Sequence, residues 1–161
     1  MNHIKFYQVS PSYVDYLVPY APHLFHNKQI GQQNERKYIG ILLHINDMDY
    51  FAPLSSFKDK HKKMKEGLDF IKIKNYAVIN LNNMFPVPKD QYFYVDISKE
   101  KNPKYKSLLL AEYRYIKSIQ DKIRKNAASL YQLKVKGKTS PLTKRCNDFL
   151  KLEELCREYI R

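Results

Sequence analysis

Tryptophan is absent, glycine occurs four times and cysteine twice in the 161 residues, and each scarcity closes off a class of function. Four scattered glycines cannot build the glycine-rich loop that wraps phosphates in backbone N–H groups. Cys146 and Cys156 are not a close pair of the kind that begins a zinc site, and two thiols are too few for a disulfide framework. A reducing, cytoplasmic compartment is therefore expected. Neither H-E-x-x-H nor C-x-x-C occurs, and no metal or cofactor is expected. No apolar run is long enough to cross a bilayer, and Met1-Asn2-His3-Ile4-Lys5 lacks the basic-then-apolar form of an export signal, so no membrane partner is expected.

Acidic side chains are also few: 16 Asp and Glu stand against 29 Lys and Arg, a formal net charge of +13. That excess goes well beyond what solubility needs and points to a polyanionic partner. Duplex DNA, RNA and an anionic membrane surface all qualify. The 14 tyrosines favour RNA, because unpaired bases offer a stacking face that duplex DNA hides. For any single tyrosine, a place in the core with a polar tip at the surface is the commoner role. Length and a 43% hydrophobic content are sufficient for one core, so residues 1–161 are expected to form a single domain.

The chain divides into a strand-rich front and a helix-rich back. Ile4 to Val9 alternates as a strand, and Ser10-Pro11-Ser12 then starts a short helix carrying Tyr13 and Tyr16. The polar segment from Asn27 to Lys37 reads as a mobile loop. Tyr38 to Ile45 and Met48 to Leu54 form an antiparallel hairpin around Asn46-Asp47, residue types that tolerate positive φ. Phe70 to Ile73 and Ala77 to Leu81 form a second hairpin around Lys74-Asn75, and Tyr92 to Ile97 supplies another strand. Asn102-Pro103 caps a long amphipathic helix with Tyr105, Leu108, Leu109, Glu112, Ile116, Ile119 and Ile123 at helical spacing. A further helical piece runs from Ala127 to Val135, Gly137 to Thr143 breaks it, and Asp148 caps a final helix. The class is α+β, with a mostly antiparallel sheet of five to six strands packed with helices and a long helix in the C-terminal half.

Chemistry concentrates where the first hairpin ends: Pro53-Leu54-Ser55-Ser56-Phe57-Lys58-Asp59-Lys60-His61-Lys62-Lys63. RNA can be cut without a metal when the ribose 2′-hydroxyl attacks its own phosphate, leaving a 2′,3′-cyclic phosphate and a 5′-hydroxyl. The protein must then assist two proton transfers and offset charge on the phosphoryl oxygens. Proton transfer is worth on the order of 10²–10⁴ in rate. Ser, Lys and His within one loop cover these tasks, since His titrates near neutrality and Lys carries a fixed charge. Taken alone, S-x-K-x-x-H is a weak pattern, and the lysines read equally well as a solvated basic face. Nothing near His3, His23, His26 and His44 in sequence offers a partner for catalysis or metal binding.

The stretch Tyr38-Ile-Gly-Ile-Leu-Leu-His-Ile-Asn-Asp-Met-Asp-Tyr-Phe-Ala-Pro-Leu-Ser-Ser-Phe-Lys58 resembles the most recognisable part of the ToxN/AbiQ toxins. There an aromatic-Ile-Gly-Ile hairpin runs into Pro-Leu-Thr-Ser-x-Lys, with a His shortly after. Lys5-Phe6-Tyr7 with Ser12-Tyr13, Ile79-Asn80-Leu81 with Met84-Phe85-Pro86, and Tyr105-Lys106 resemble the opening, middle and latter parts of the same family, in order. The resemblance implies a type III toxin-antitoxin endoribonuclease with a strongly twisted antiparallel sheet, acting on cellular or phage RNA. It further implies inhibition by a structured RNA antitoxin, a pseudoknot repeat that the toxin cuts from its precursor, within a closed ring of alternating protein and RNA.

By the same resemblance Ser56 takes the place of the family's essential serine, Ser55 of the neighbouring threonine, Lys58 of the active-site lysine and Tyr13 of an active-site tyrosine. His61 matches a histidine at the right distance. Family members often carry another functional tyrosine before the hairpin, where this chain has Gln32, Gln33 and Asn34. Arg36 and Lys37 are the expected phosphate contacts there, with Lys60, Lys62 and Lys63 completing the RNA-binding set. A non-catalytic RNA-binding protein would need the same charge and tyrosines, with the loop serving only as a phosphate clamp. A DNA-binding regulator would need a recognition helix rich in Arg and Asn, whereas the helix from Lys104 is mixed in charge.

Overall fold

The structure, a computed structural model, describes residues 2–24 and 36–159. Gln32, Gln33, Asn34, His26 and most of the segment from Asn27 to Lys37 lie outside the described residues. The strands are β1 (Lys5–Val9), β2 (Tyr38–Gly40), β3 (His44–Ile45), β4 (Met48–Ser56), β5 (Phe70–Ile73), β6 (Ala77–Asn80), β7 (Phe85–Val87) and β8 (Tyr92–Tyr94). The helices are α1 (Pro11–Leu17), α2 (Asp59–Lys63), α3 (Pro103–Ser118), α4 (Gln120–Val135), α5 (Pro141–Lys144) and α6 (Phe149–Tyr159).

Six strands follow one path, β5-β6-β4-β2-β1-β8, with β3 and β7 attached to β4 beside it. Every pairing is antiparallel, so the α+β expectation holds, with two short strands more than expected. They are accommodated because β4 is nine residues long. Its first part pairs with β3 and β7, Asp49 facing both His44 and Val87, and its second part with β2 and β6.

Local chemistry explains the turns. Asn46 and Asp47 take φ of 53° and 63°, the left-handed geometry a two-residue hairpin turn needs. The expected strand from Tyr38 to Ile45 is split after Gly40, where a side chain has no room: an added Cβ would lie 2.3 Å from the Phe51 ring. The expected long helix is likewise two, because Ile119 leaves helical geometry at φ −118°, ψ 16°. Leu109 and Ile116 of α3 and Ile123, Ala127 and Leu130 of α4 enter the same core, which is why their spacing reads as one helix.

Alternation along β4 divides the apolar side chains between two cores. Tyr50 and Ala52 join α3 and α4 on one face, while Phe51 joins Tyr13, Val14 and Leu17 of α1 and Leu152 and Leu155 of α6 on the other. Buried Glu153 of α6 accepts hydrogen bonds from Tyr50 (2.5 Å), Tyr131 (2.7 Å) and Asn46 (3.1 Å), tying sheet, α4 and hairpin tip together. Three donors satisfy a carboxylate that would otherwise be costly to bury. Among the described residues no helix is long and apolar enough to cross a membrane.

Candidate functional site

β4 ends as its side chains turn from apolar to hydroxyl: Leu54, Ser55 and Ser56 face Ile79, Val78 and Ala77 of β6. On its other side the Leu54 N–H donates to the Lys37 carbonyl (3.1 Å), and this register brings Arg36 alongside Ser55. Arg36 Nη2 and Asn80 Nδ2 each donate to Ser55 Oγ at 3.1 Å. With both acceptor sites of the hydroxyl taken by N–H groups, its remaining capacity is to donate its own proton. Arg36 is half-buried, and burial lowers its proton affinity against an opposing influence from Tyr38. A guanidinium starts so high that it keeps its charge. The result is a polarised O–H beside a fixed positive charge, suited to a phosphoryl oxygen.

Ser56 and Lys58 are exposed, and strand alternation sets Ser56 on the sheet face opposite Ser55. Lys58 opens α2, whose other lysines, Lys60, Lys62 and Lys63, also lie at the surface. Lys62 pairs with Asp59 at 3.5 Å. His61 differs from them: it is 6% exposed, its ring centre lying 5.6 Å from Phe57 and 5.7 Å from Phe70. Its ring Nδ1 accepts the Lys58 N–H (2.8 Å) while the His61 backbone N–H donates to the Lys58 carbonyl (2.9 Å). That reciprocal pair is the geometry by which the third residue of a helix clamps its first turn. Burial first, and then Lys60, Lys58 and Lys72, pull the imidazole below its ordinary value. With Nδ1 taken by the Lys58 N–H, the imidazole holds the Lys58 backbone and has Nε2 left to present.

Tyr13 lies inside the fold. Its side chain is 0% exposed, its hydroxyl donates to the Pro86 carbonyl at 2.6 Å, and its ring packs edge-on against Tyr159 at 4.9 Å. Burial drives its pKa far upward. It is a core residue joining α1, β7 and α6.

Lys37, expected as a phosphate contact, places its ammonium 5.7 Å from the centre of the Tyr105 ring. Two residues near this end of the sheet are not singled out by sequence pattern. Asn80 was visible only within the Ile79-Asn80-Leu81 stretch. Glu112 stood at an apolar-periodic position of α3, and it is 4% exposed with its carboxyl pushed up to about 7 by burial. Helix α3 passes from Tyr105, against Lys37, to Tyr115, whose ring lies 5.5 Å from the Lys74 ammonium at the β5–β6 turn. It thus crosses the end of the sheet at which β4 finishes.

Comparison with known proteins finds relatives over nearly the whole chain. Residues 5–157 match the family described as toxin ToxN, type III toxin-antitoxin system. The chain is 35% identical over 164 residues to an endoribonuclease ToxN of Bacillus thuringiensis subsp. kurstaki, covering 96% of this chain and 84% of that one. It is 31% identical to an endoribonuclease ToxN of Pectobacterium atrosepticum, covering 97% and 94%. A solved structure from work on selective toxin inhibition by a non-coding RNA pseudoknot superposes with a TM-score of 0.86 at 33% identity, covering 99% of both chains.

Proposed function

The chain belongs to the ToxN toxin family of type III toxin-antitoxin systems, and from that premise we propose that it is an endoribonuclease cutting single-stranded RNA without a metal. The ribose 2′-oxygen attacks the adjacent phosphorus, the bond from phosphorus to the 5′-oxygen breaks, one proton leaves the 2′-hydroxyl and one is delivered to the departing oxygen. The products are a 2′,3′-cyclic phosphate and a 5′-hydroxyl. The nucleophile belongs to the substrate, so the protein's task is to orient the linkage and offset charge. Ser55 donates to a phosphoryl oxygen, the Arg36 guanidinium and Lys58 ammonium balance the growing negative charge, and Ser56 orients the strand. Tyr13 acts through the packing beneath them.

The observation that carries this reading is the pair of 3.1 Å N–H donors on Ser55 Oγ, which leave that hydroxyl able only to donate. The partner that controls such an enzyme is a structured RNA, by analogy with the pseudoknot that inhibits the similar toxin, filling the basic surface around Arg36, Lys37, Lys60, Lys62 and Lys63 in an alternating protein–RNA ring. The site sits in one domain and the protein acts in the cytoplasm.

Incubating end-labelled RNA with the purified protein in EDTA tests the proposal. Cleavage to cyclic-phosphate ends is expected, and Ser55→Ala should lower kcat on the order of 10²–10³-fold. RNA bound but uncut would leave a binding protein in place of an enzyme. Cleavage only after magnesium is added would contradict the chemistry.

A further inference from the structure

A groove of about 360 Å³ opens where the β5–β6 turn meets α3, lined by Lys74, Tyr76, Ala111, Arg114, Tyr115 and Ser118. Its position relative to the serines follows from the sheet register. Ser56 faces Ala77, and Tyr76 is the turn residue just before β6, so the groove begins one residue from the strand partner of Ser56. None of its lining residues is acidic. Lys74 and Arg114 are exposed, Tyr76 and Tyr115 half-buried, and the Lys74 ammonium lies 5.5 Å from the Tyr115 ring centre. Ser118 donates its hydroxyl proton to the Tyr115 carbonyl (2.6 Å), leaving its oxygen as an acceptor on the rim. Lys74 has φ 50°, a conformation that Asn or Gly adopts more cheaply. The turn therefore carries a cation where backbone preference alone would have chosen otherwise.

Two cations matched to a phosphodiester, two tyrosine rings matched to a base, and a hydroxyl oxygen matched to an exocyclic amine are the complement of a single nucleotide. We propose that this groove is a nucleotide subsite of the cleavage site. It holds one unpaired nucleotide of the RNA beside the scissile linkage, the phosphate between Lys74 and Arg114 and the base against Tyr115. The inference rests on the reading that RNA is cut at Ser55 and Ser56.

The test uses the full chain and a single-stranded, fully 2′-O-methylated oligonucleotide, which binds but offers no free 2′-hydroxyl to attack. Fluorescence anisotropy across a salt series compares wild type, Lys74→Asn/Arg114→Gln, Tyr115→Leu and a charge-matched control, Lys136→Gln/Lys138→Gln. The asparagine suits the left-handed turn, so the first variant keeps the fold. It should bind roughly 10-fold more weakly with a shallower salt dependence, by about 0.7 in the logarithmic slope for each phosphate no longer neutralised. Tyr115→Leu should weaken binding several-fold, by roughly the worth of one stacked base, with the slope unchanged. The control should stay within about two-fold of wild type, because neither exposed lysine lines the groove. Equal affinities for Lys74→Asn/Arg114→Gln and the control would overturn the subsite. Cleavage of unmodified RNA by the same proteins separates the two proposals. Wild type that binds with these differences yet cuts nothing refutes the nuclease and overturns the groove's place beside a scissile linkage, leaving a nucleotide-binding groove only, whereas cutting without the differences refutes the subsite and leaves the nuclease standing.

Discussion

At the scale of single residues, burial decides which groups titrate usefully. Glu112 ordinarily ionises near 4.5 and here holds its proton to about 7. Between those values the folded chain binds more protons than the unfolded one, so stability falls as pH rises through that window and levels off above it. Glu112→Gln should remove this dependence and stabilise the protein at pH 8 by about 2–3 kcal/mol, read from urea unfolding at pH 5 and pH 8; an unchanged profile would show the carboxyl to be solvated. His61 has the opposite sign. Its folded value lies below the ordinary 6.5, so the unfolded chain takes up the proton first and the fold loses stability as pH drops below about 6.5. As a positioning residue for Lys58, His61→Ala should cut kcat about 10-fold or more through misplacement. His61→Gln, whose amide oxygen can still accept the Lys58 N–H, should restore most of the rate and abolish the histidine-dependent acid limb of the pH profile. A glutamine variant as slow as the alanine one would argue against the clamp.

Elements explain how much the sequence disclosed. The hairpin at Asn46-Asp47, the first strand and helix, and the capped helix from Asn102 were legible because turn residues, alternation and capping act over a few neighbouring positions. The run Ser55, Ser56, Lys58 and His61 stands out for the same reason, as a stretch of polar side chains where β4 leads into α2. The hydrogen bond between Arg36 and Ser55 was not, because the two are 19 residues apart in sequence and meet only through the register of β2 on β4. Nor could spacing reveal that Tyr13 faces inward, that His61 caps α2, or that Ile119 divides α3 from α4. Gly40 illustrates how tightly that register is held. A methyl group there would meet the Phe51 ring, itself packed against Tyr7 and Tyr92. Gly40→Ala should cost about 1–3 kcal/mol from overpacking. Since β2 delivers Arg36 to Ser55, the same change should lower cleavage more than RNA binding. Unchanged unfolding midpoints would contradict this picture of how β2 packs on β4.

Over the whole molecule, a net charge of +13 draws any RNA toward the surface, and phosphate contacts set the affinity without choosing a sequence. On the proposed reading the same surface serves a substrate and an inhibitory RNA, and control of the enzyme becomes competition for one basic face. Selectivity then falls to unpaired bases near the serines, and catalysis to a donor hydroxyl and two cations acting on a nucleophile that the RNA itself carries. The most direct test is a single-turnover assay in EDTA on an RNA in which only the ribose on the 5′ side of the cut is replaced by its 2′-deoxy form. The account predicts binding close to that of the all-ribose strand and no cleavage at that position. Cleavage there at the rate of the all-ribose strand would mean that the attacking oxygen comes from elsewhere, and would contradict it.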